Sequence, residues 1–91
     1  MKARAHVFVS GNVQGVFFRY EIRTKAIQHN VTGGVKNVRD GRVEAVFEGE
    51  KEDVEAMIAF CHCGPPGAAV KGVDVLWEEP TGEFDRFRVQ Y

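Results

Sequence analysis

The sequence predicts an α+β fold in which one antiparallel sheet carries two helices on a single face. Three observations point there. Runs with an apolar residue at every second position alternate with two stretches whose apolar residues recur every three or four positions. Their order is β-α-β-β-α-β with a short extra strand at the C-terminus, and Asp40-Gly41 between the second and third strands marks a tight hairpin. Each helical stretch has one apolar stripe, which suits one covered face of a sheet. This is the pattern of a ferredoxin-like βαββαβ sandwich.

Ala3–Ser10 puts Ala3, Ala5, Val7 and Val9 on one face and Arg4, His6, Phe8 and Ser10 on the other, the mark of a half-buried strand. Gly11-Asn12-Val13-Gln14-Gly15 breaks it. From Phe18 to His29 the period lengthens: Phe18, Ile22 and Ala26 recur every four residues, with Arg19, Glu21, Arg23, Lys25 and Gln28 between them. Thr32-Gly33-Gly34 ends this helical section. Val35–Arg39 and Arg42–Glu48 form the hairpin strands, and Val43, Ala45 and Phe47 share a face. Glu50–Cys61 is the clearest helix, with Glu50, Glu52 and Asp53 complementing its dipole and Val54, Met57, Ile58 and Cys61 as its stripe. Gly64-Pro65-Pro66-Gly67 stops it. Val70–Trp77 is the fourth strand; Val73, Val75 and Trp77 share a face and are assigned to core or sheet-face packing. After a Pro80-Thr81-Gly82 turn, Phe87, Val89 and Tyr91 alternate in a short last strand.

Residues 1–91 are expected to form a single domain, with 44% apolar residues for one modest core. Twelve basic residues against 13 acidic leave a net charge of -1, which argues against a general nucleic-acid binder. No apolar run is long enough to span a bilayer and the N-terminus lacks the core of a secretion signal, so a cytoplasmic location is expected. Only His62 separates Cys61 from Cys63, so the pair cannot staple distant parts of the fold. A stable zinc site needs about four ligands and no second cluster follows, so free thiols at a helix end are expected.

The segment that carries chemistry is Gly11-Asn12-Val13-Gln14-Gly15-Val16-Phe17-Phe18-Arg19, between the first strand and the first helix. Glycines let the backbone approach a ligand closely, and successive N–H groups in such a turn converge on an anion at the positive end of the helix. Arg19 stands in the first helical turn, where a guanidinium can grip two oxygens of one phosphate. Taken alone, two glycines favour plain turn chemistry, and a first-turn arginine is often a solvated surface residue. No Gly-Lys-Ser/Thr follows, so this is not a nucleoside-triphosphate loop.

The same residues resemble the acylphosphatase signature, a Gly-x-Val-Gln-Gly-Val loop followed by x-Phe-Arg. A second segment, Gly34-Val35-Lys36-Asn37-Val38-x-Asp40-Gly41-x-Val43-Glu44-Ala45, is similar to the family's other motif, and further similarities at Gly49, Gly64-Pro65-Pro66, Val70, Val73 and Phe87 extend over nearly the whole chain. The resemblance implies that Arg19 binds the phosphoryl group, that Asn37 positions the attacking water, and that Gly11, Asn12, Val13, Gln14, Gly15 and Val16 form the phosphate-binding loop. It implies metal-independent hydrolysis of small acyl phosphates without a cofactor, with inorganic phosphate or other anions as product or inhibitor. The chain is read as a monomer with neither nucleic-acid nor membrane partner.

Two positions depart from the family pattern. Gly34 replaces a bulky aromatic, leaving the strand entrance less packed, and Asn30 stands where glycine is common. In some relatives the terminal carboxylate, here that of Tyr91, lies near the phosphate-binding arginine. An RNA-binding domain of this topology needs aromatics and basic residues on its central strands, whereas Arg42–Glu48 has one aromatic and two carboxylates. A metal carrier would place Cys-x-x-Cys in the first loop, where this chain has Gln14-Gly15. A non-catalytic binding module, or a relative of the acylphosphatase-like domains of larger carbamoyl-transfer proteins, is the remaining alternative; Arg19 and Asn37 together argue for activity.

Overall fold

The computed structural model describes residues 1–15 and 17–90. Seven elements follow one another: β1 (Lys2–Asn12), α1 (Phe18–Gln28), β2 (Thr32–Asn37), β3 (Val43–Glu50), α2 (Lys51–Cys63), β4 (Ala69–Glu78) and β5 (Phe87–Val89). They build one sheet of order β4-β1-β3-β2-β5. β1 to β4 pair antiparallel throughout, while β5 adds to β2 in parallel, which makes the sheet mixed at that edge.

Alternation in β1 decides the layers. Ala5, Val7 and Val9 lie opposite Phe47, Ala45 and Val43 of β3, and all six are buried beneath the helices. The helices close the core with Phe18, Ile22 and Ala26 from α1 and Val54, Met57 and Cys61 from α2. Burial pushes the Cys61 thiol up to about 12, so it stays neutral, while Cys63 is exposed. At the edge strand β4, Val73 and Val75 are only partly buried. Trp77 keeps 50% of its surface exposed. The Lys51 ammonium stands 5.9 Å from its ring, so the indole packs on the sheet face rather than in the core.

Thr32-Gly33-Gly34 does not close the helix as expected; it opens β2. A Cβ on Gly33, whose φ is 136°, would lie 1.8 Å from the Val46 carbonyl oxygen, so only glycine lets β2 approach β3 here. Gly34 pairs with both Val46 and Arg88, and beside it a cavity of about 200 Å³ opens on the uncovered face, lined by Lys36, Glu44, Val46, Phe84 and Gln90. Asn30 ends the helical section in the left-handed region at φ 58°. Asparagine tolerates that conformation almost as well as glycine. The described helices include none long and apolar enough to cross a membrane.

To reach β2 from β4, residues 79–86 must cross one end of the sheet. Glu48, buried at that end of β3, holds them there. Its carboxylate accepts hydrogen bonds from the Thr81 and Gly82 amides, the Thr81 hydroxyl and Arg4. Arg4 in turn bridges Glu78 at 2.9 Å and Glu83 at 2.6 Å. Burial pushes the Glu48 carboxyl up, but the Gly82, Thr81 and Arg4 donors outweigh it and hold the group below its ordinary range. Glu48→Ala should therefore cost about 2–3 kcal/mol at neutral pH. A depressed folded-state pKa contributes its stability above the ordinary carboxylate range and loses it as pH falls, so the deficit should shrink below about pH 4. Urea unfolding of both proteins at pH 7 and pH 3 measures this difference.

Candidate active site

β1 carries the chain beyond the start of β3, still paired with β4, before the loop begins. Its pairing with β4 shifts register between Ser10 and Gly11, and Gly11 and Asn12 then lie opposite Val70 and Ala69. A Cβ on Gly11 would fall 2.1 Å from the Ala69 carbonyl oxygen. The loop expected to start at Gly11 therefore starts at Val13. Gly11 and Asn12 are strand residues, and the Gly11 glycine serves close strand approach. Val16, expected in the loop, lies outside the described residues, as does Tyr91, whose strand-face and carboxylate roles therefore go undescribed.

From Val13 onward the backbone is pinned at one end and turned sharply at the other. Val13 is buried, and Gly15 sits at φ 77° with open space where a side chain would stand. Phe17, the residue before α1, is left-handed at φ 60°, ψ 20°, and no side chain caps the helix. Such a conformation costs a non-glycine residue on the order of 1 kcal/mol, and strained residues of this kind gather at functional sites. The next residue, Phe18, turns inward and is fully buried.

Asn37 arrives from another part of the chain. It is the last residue of β2, opposite Val43, and precedes the hairpin turn. Val38 donates to the Arg42 carbonyl at 2.8 Å and Gly41, at φ 99°, donates to the Val38 carbonyl. Asp40 accepts from the Arg42 amide and guanidinium, contacts that lower its pKa. The predicted Asp40-Gly41 turn is thus present within a longer connection.

One side chain ties this hairpin to the loop. The Gln14 amide donates to the Val38 carbonyl at 2.8 Å and to the Arg42 carbonyl at 2.9 Å. Gln14 was expected only as a backbone member of the loop. Its side chain instead braces the loop against the strand end that carries Asn37. The result is a cavity of about 150 Å³ lined by Val13, Gly15, Phe17, Phe18, Arg19, Tyr20 and Asn37. Arg19 donates to the Gln90 carbonyl at 3.3 Å, so the segment after β5 also reaches the site. Asn37 is exposed and lines the cavity, and its side chain makes no hydrogen bond to another described residue. An arginine, an uncapped helix start and a neutral amide around a small concavity suit an oxyanion and a water molecule.

A family sequence profile described as Acylphosphatase matches residues 5–89. An acylphosphatase of Roseiflexus sp. (strain RS-1) is 55% identical over 96% of this chain and 94% of its own length. The chain belongs to the acylphosphatase family. It is an enzyme of that type. Solved structures agree: an acylphosphatase from Coxiella burnetii superposes with a TM-score of 0.92 at 40% identity, covering 98% of this chain and 93% of that one. The Bacillus subtilis acylphosphatase gives 0.93 at 32% identity over the full length of both chains.

Phe17, Tyr20 and the Gln14 side chain are the site features that sequence patterning did not single out. Only the loop's fold against the hairpin brings them into play. Gln14→Ala should lower global stability by about 1 kcal/mol. Hydrogen exchange monitored by NMR should show the added opening confined to Gly15, Phe17 and the Val38–Arg42 connection. Uniform acceleration across the sheet would argue against a local brace.

Proposed function

We propose that the chain hydrolyses the carboxyl–phosphate bond of small acyl phosphates, releasing a carboxylate, inorganic phosphate and a proton. The observation that carries this reading is the convergence of Arg19 and Asn37, from different elements, on one cavity with Val13, Gly15 and Phe17. Arg19 binds and neutralises the phosphoryl oxygens, helped by donors of the loop and the α1 start. Asn37 orients a water for attack in line with the bond that breaks.

The chemistry needs little more. The leaving carboxylate has a conjugate acid of pKa about 4 by analogy with Asp and Glu, so it departs without a general acid. The transition state is loose, and charge on the three equatorial oxygens is the main thing to stabilise. A cationic arginine with several backbone donors supplies that without a divalent ion. A water attacking so electrophilic a centre requires orientation more than deprotonation, which a neutral amide provides. Every named group comes from one chain, so the proposed reaction needs no second subunit; a cytoplasmic monomer is the working form in this reading.

Phosphate release from benzoyl phosphate, assayed with chelator present, tests the reading. The wild type should remain active. Arg19→Ala should weaken inhibition by inorganic phosphate and lower kcat/KM by about a hundredfold or more. Asn37→Ala should lose turnover to a similar degree while inorganic phosphate still inhibits. Activity abolished by the chelator would rule out the metal-free route, and full turnover in Asn37→Ala would remove its assigned part.

A further inference from the structure

We propose that Phe17 and Tyr20 form an acyl subsite at the mouth of the cavity, so that the enzyme favours acyl phosphates with a flat, apolar acyl group. This rests on the phosphate-binding reading of Arg19 and Asn37.

Phe17 combines two unfavourable features. It is 75% exposed, and its backbone is left-handed, where glycine or asparagine would sit more easily. Core packing does not account for it, since Phe18 supplies the buried anchor. Nor does helix capping, since its side chain makes no cap hydrogen bond. Tyr20 follows three residues later on the same side of α1 and is 47% exposed. The two rings stand 6.2 Å apart at 45°, and both line the cavity that holds Arg19 and Asn37.

The reaction says what such a pair would meet. The acyl carbon is separated from phosphorus by one bridging oxygen, so a phosphoryl group held by Arg19 leaves the acyl group at the cavity mouth. In-line displacement puts the water and the leaving carboxylate on opposite sides of phosphorus. Asn37 comes from β2, and the aromatic pair comes from the α1 side of the same cavity. A flat acyl group gains contact with both rings, whereas a methyl group gains little. Contacts remote from the reacting bond are made in ground and transition states alike, so they act mainly on KM.

The test compares benzoyl phosphate with acetyl phosphate for the wild type, Phe17→Gly, Tyr20→Ala and Tyr20→Phe, with inhibition by inorganic phosphate as a control. Glycine adopts the Phe17 backbone conformation without strain, so Phe17→Gly removes the ring and keeps the turn. The benzoyl-to-acetyl ratio of kcat/KM should fall about five- to tenfold in Phe17→Gly and Tyr20→Ala, chiefly through KM. It should stay near the wild-type value in Tyr20→Phe, and inorganic phosphate should inhibit all four proteins within about twofold of one another. An unchanged ratio in both ring deletions overturns the subsite and leaves the hydrolytic reading standing. Parallel loss of both substrates and of phosphate inhibition also overturns it, because the rings would then support the loop. A basic groove lined by Arg23, Arg86 and Arg88 borders Tyr20 on its other side. A preference for succinyl phosphate that disappears in Arg23→Ala/Arg88→Ala would relocate the acyl group there and overturn the proposal. A wild type inactive on both substrates defeats the hydrolytic reading and the subsite with it.

Discussion

The pairing of β1 with β3 on one side and β4 on the other organises everything else in this molecule. β1 is the only route by which the chain's first apolar face, Ala5, Val7 and Val9, reaches the centre of the core. Because it lies inside the sheet, both of its ends are fixed. One end holds Arg4 beside Glu48, where the return crossing to β5 is fastened. The other runs past a register shift and delivers Val13, buried, at the foot of the turn that lines the cavity. A slip of one residue along β3 would turn the core face to solvent and displace the turn with it.

Rigid ends alone do not make a site, which also needs the loop after Val13 held in place. Its position depends on polar links across the chain. Gln14 gives both amide hydrogens to the connection that follows Asn37, and Arg19 reaches the carbonyl of Gln90 beyond β5. These are modest interactions, each worth about 1 kcal/mol, yet they set the separation of two elements that the sheet leaves independent. The left-handed Phe17 shows the opposite sign of the same design. Backbone strain there is tolerated because the buried Phe18 next to it anchors the turn.

The Arg4–Glu48 cluster and the site lie at opposite ends of β1, which separates stability from chemistry. The Glu48 carboxylate is buried and multiply bonded, as a fastening should be. Asn37, at the other end, is exposed and lines the cavity. Glycines divide in the same way. Gly11 and Gly33 have no room for a side chain between strands, whereas Gly15 has open space and needs only its positive φ.

Much of this was legible in the chain itself. Period-two runs in β1 and β3 and the stripes Phe18-Ile22-Ala26 and Val54-Met57-Cys61 identified the layers, because burial on one face leaves a periodic trace in composition. The two motifs marked Arg19 and Asn37 as candidates, and the structure brings both to one cavity. Gly33-Gly34 misled, since two adjacent glycines read as a break unless the neighbouring Val46 carbonyl is known to be pressing against them. The Gly11 boundary misled for the same reason. Sequence by itself determined the family, the layer order and the two candidate side chains, all of which depend on local pattern. Only tertiary structure decided where the loop starts, that Gln14 braces it, and that Phe17 and Tyr20 line the same cavity as Arg19 and Asn37, because each depends on contacts between residues far apart along the chain or on a backbone angle that composition does not reveal.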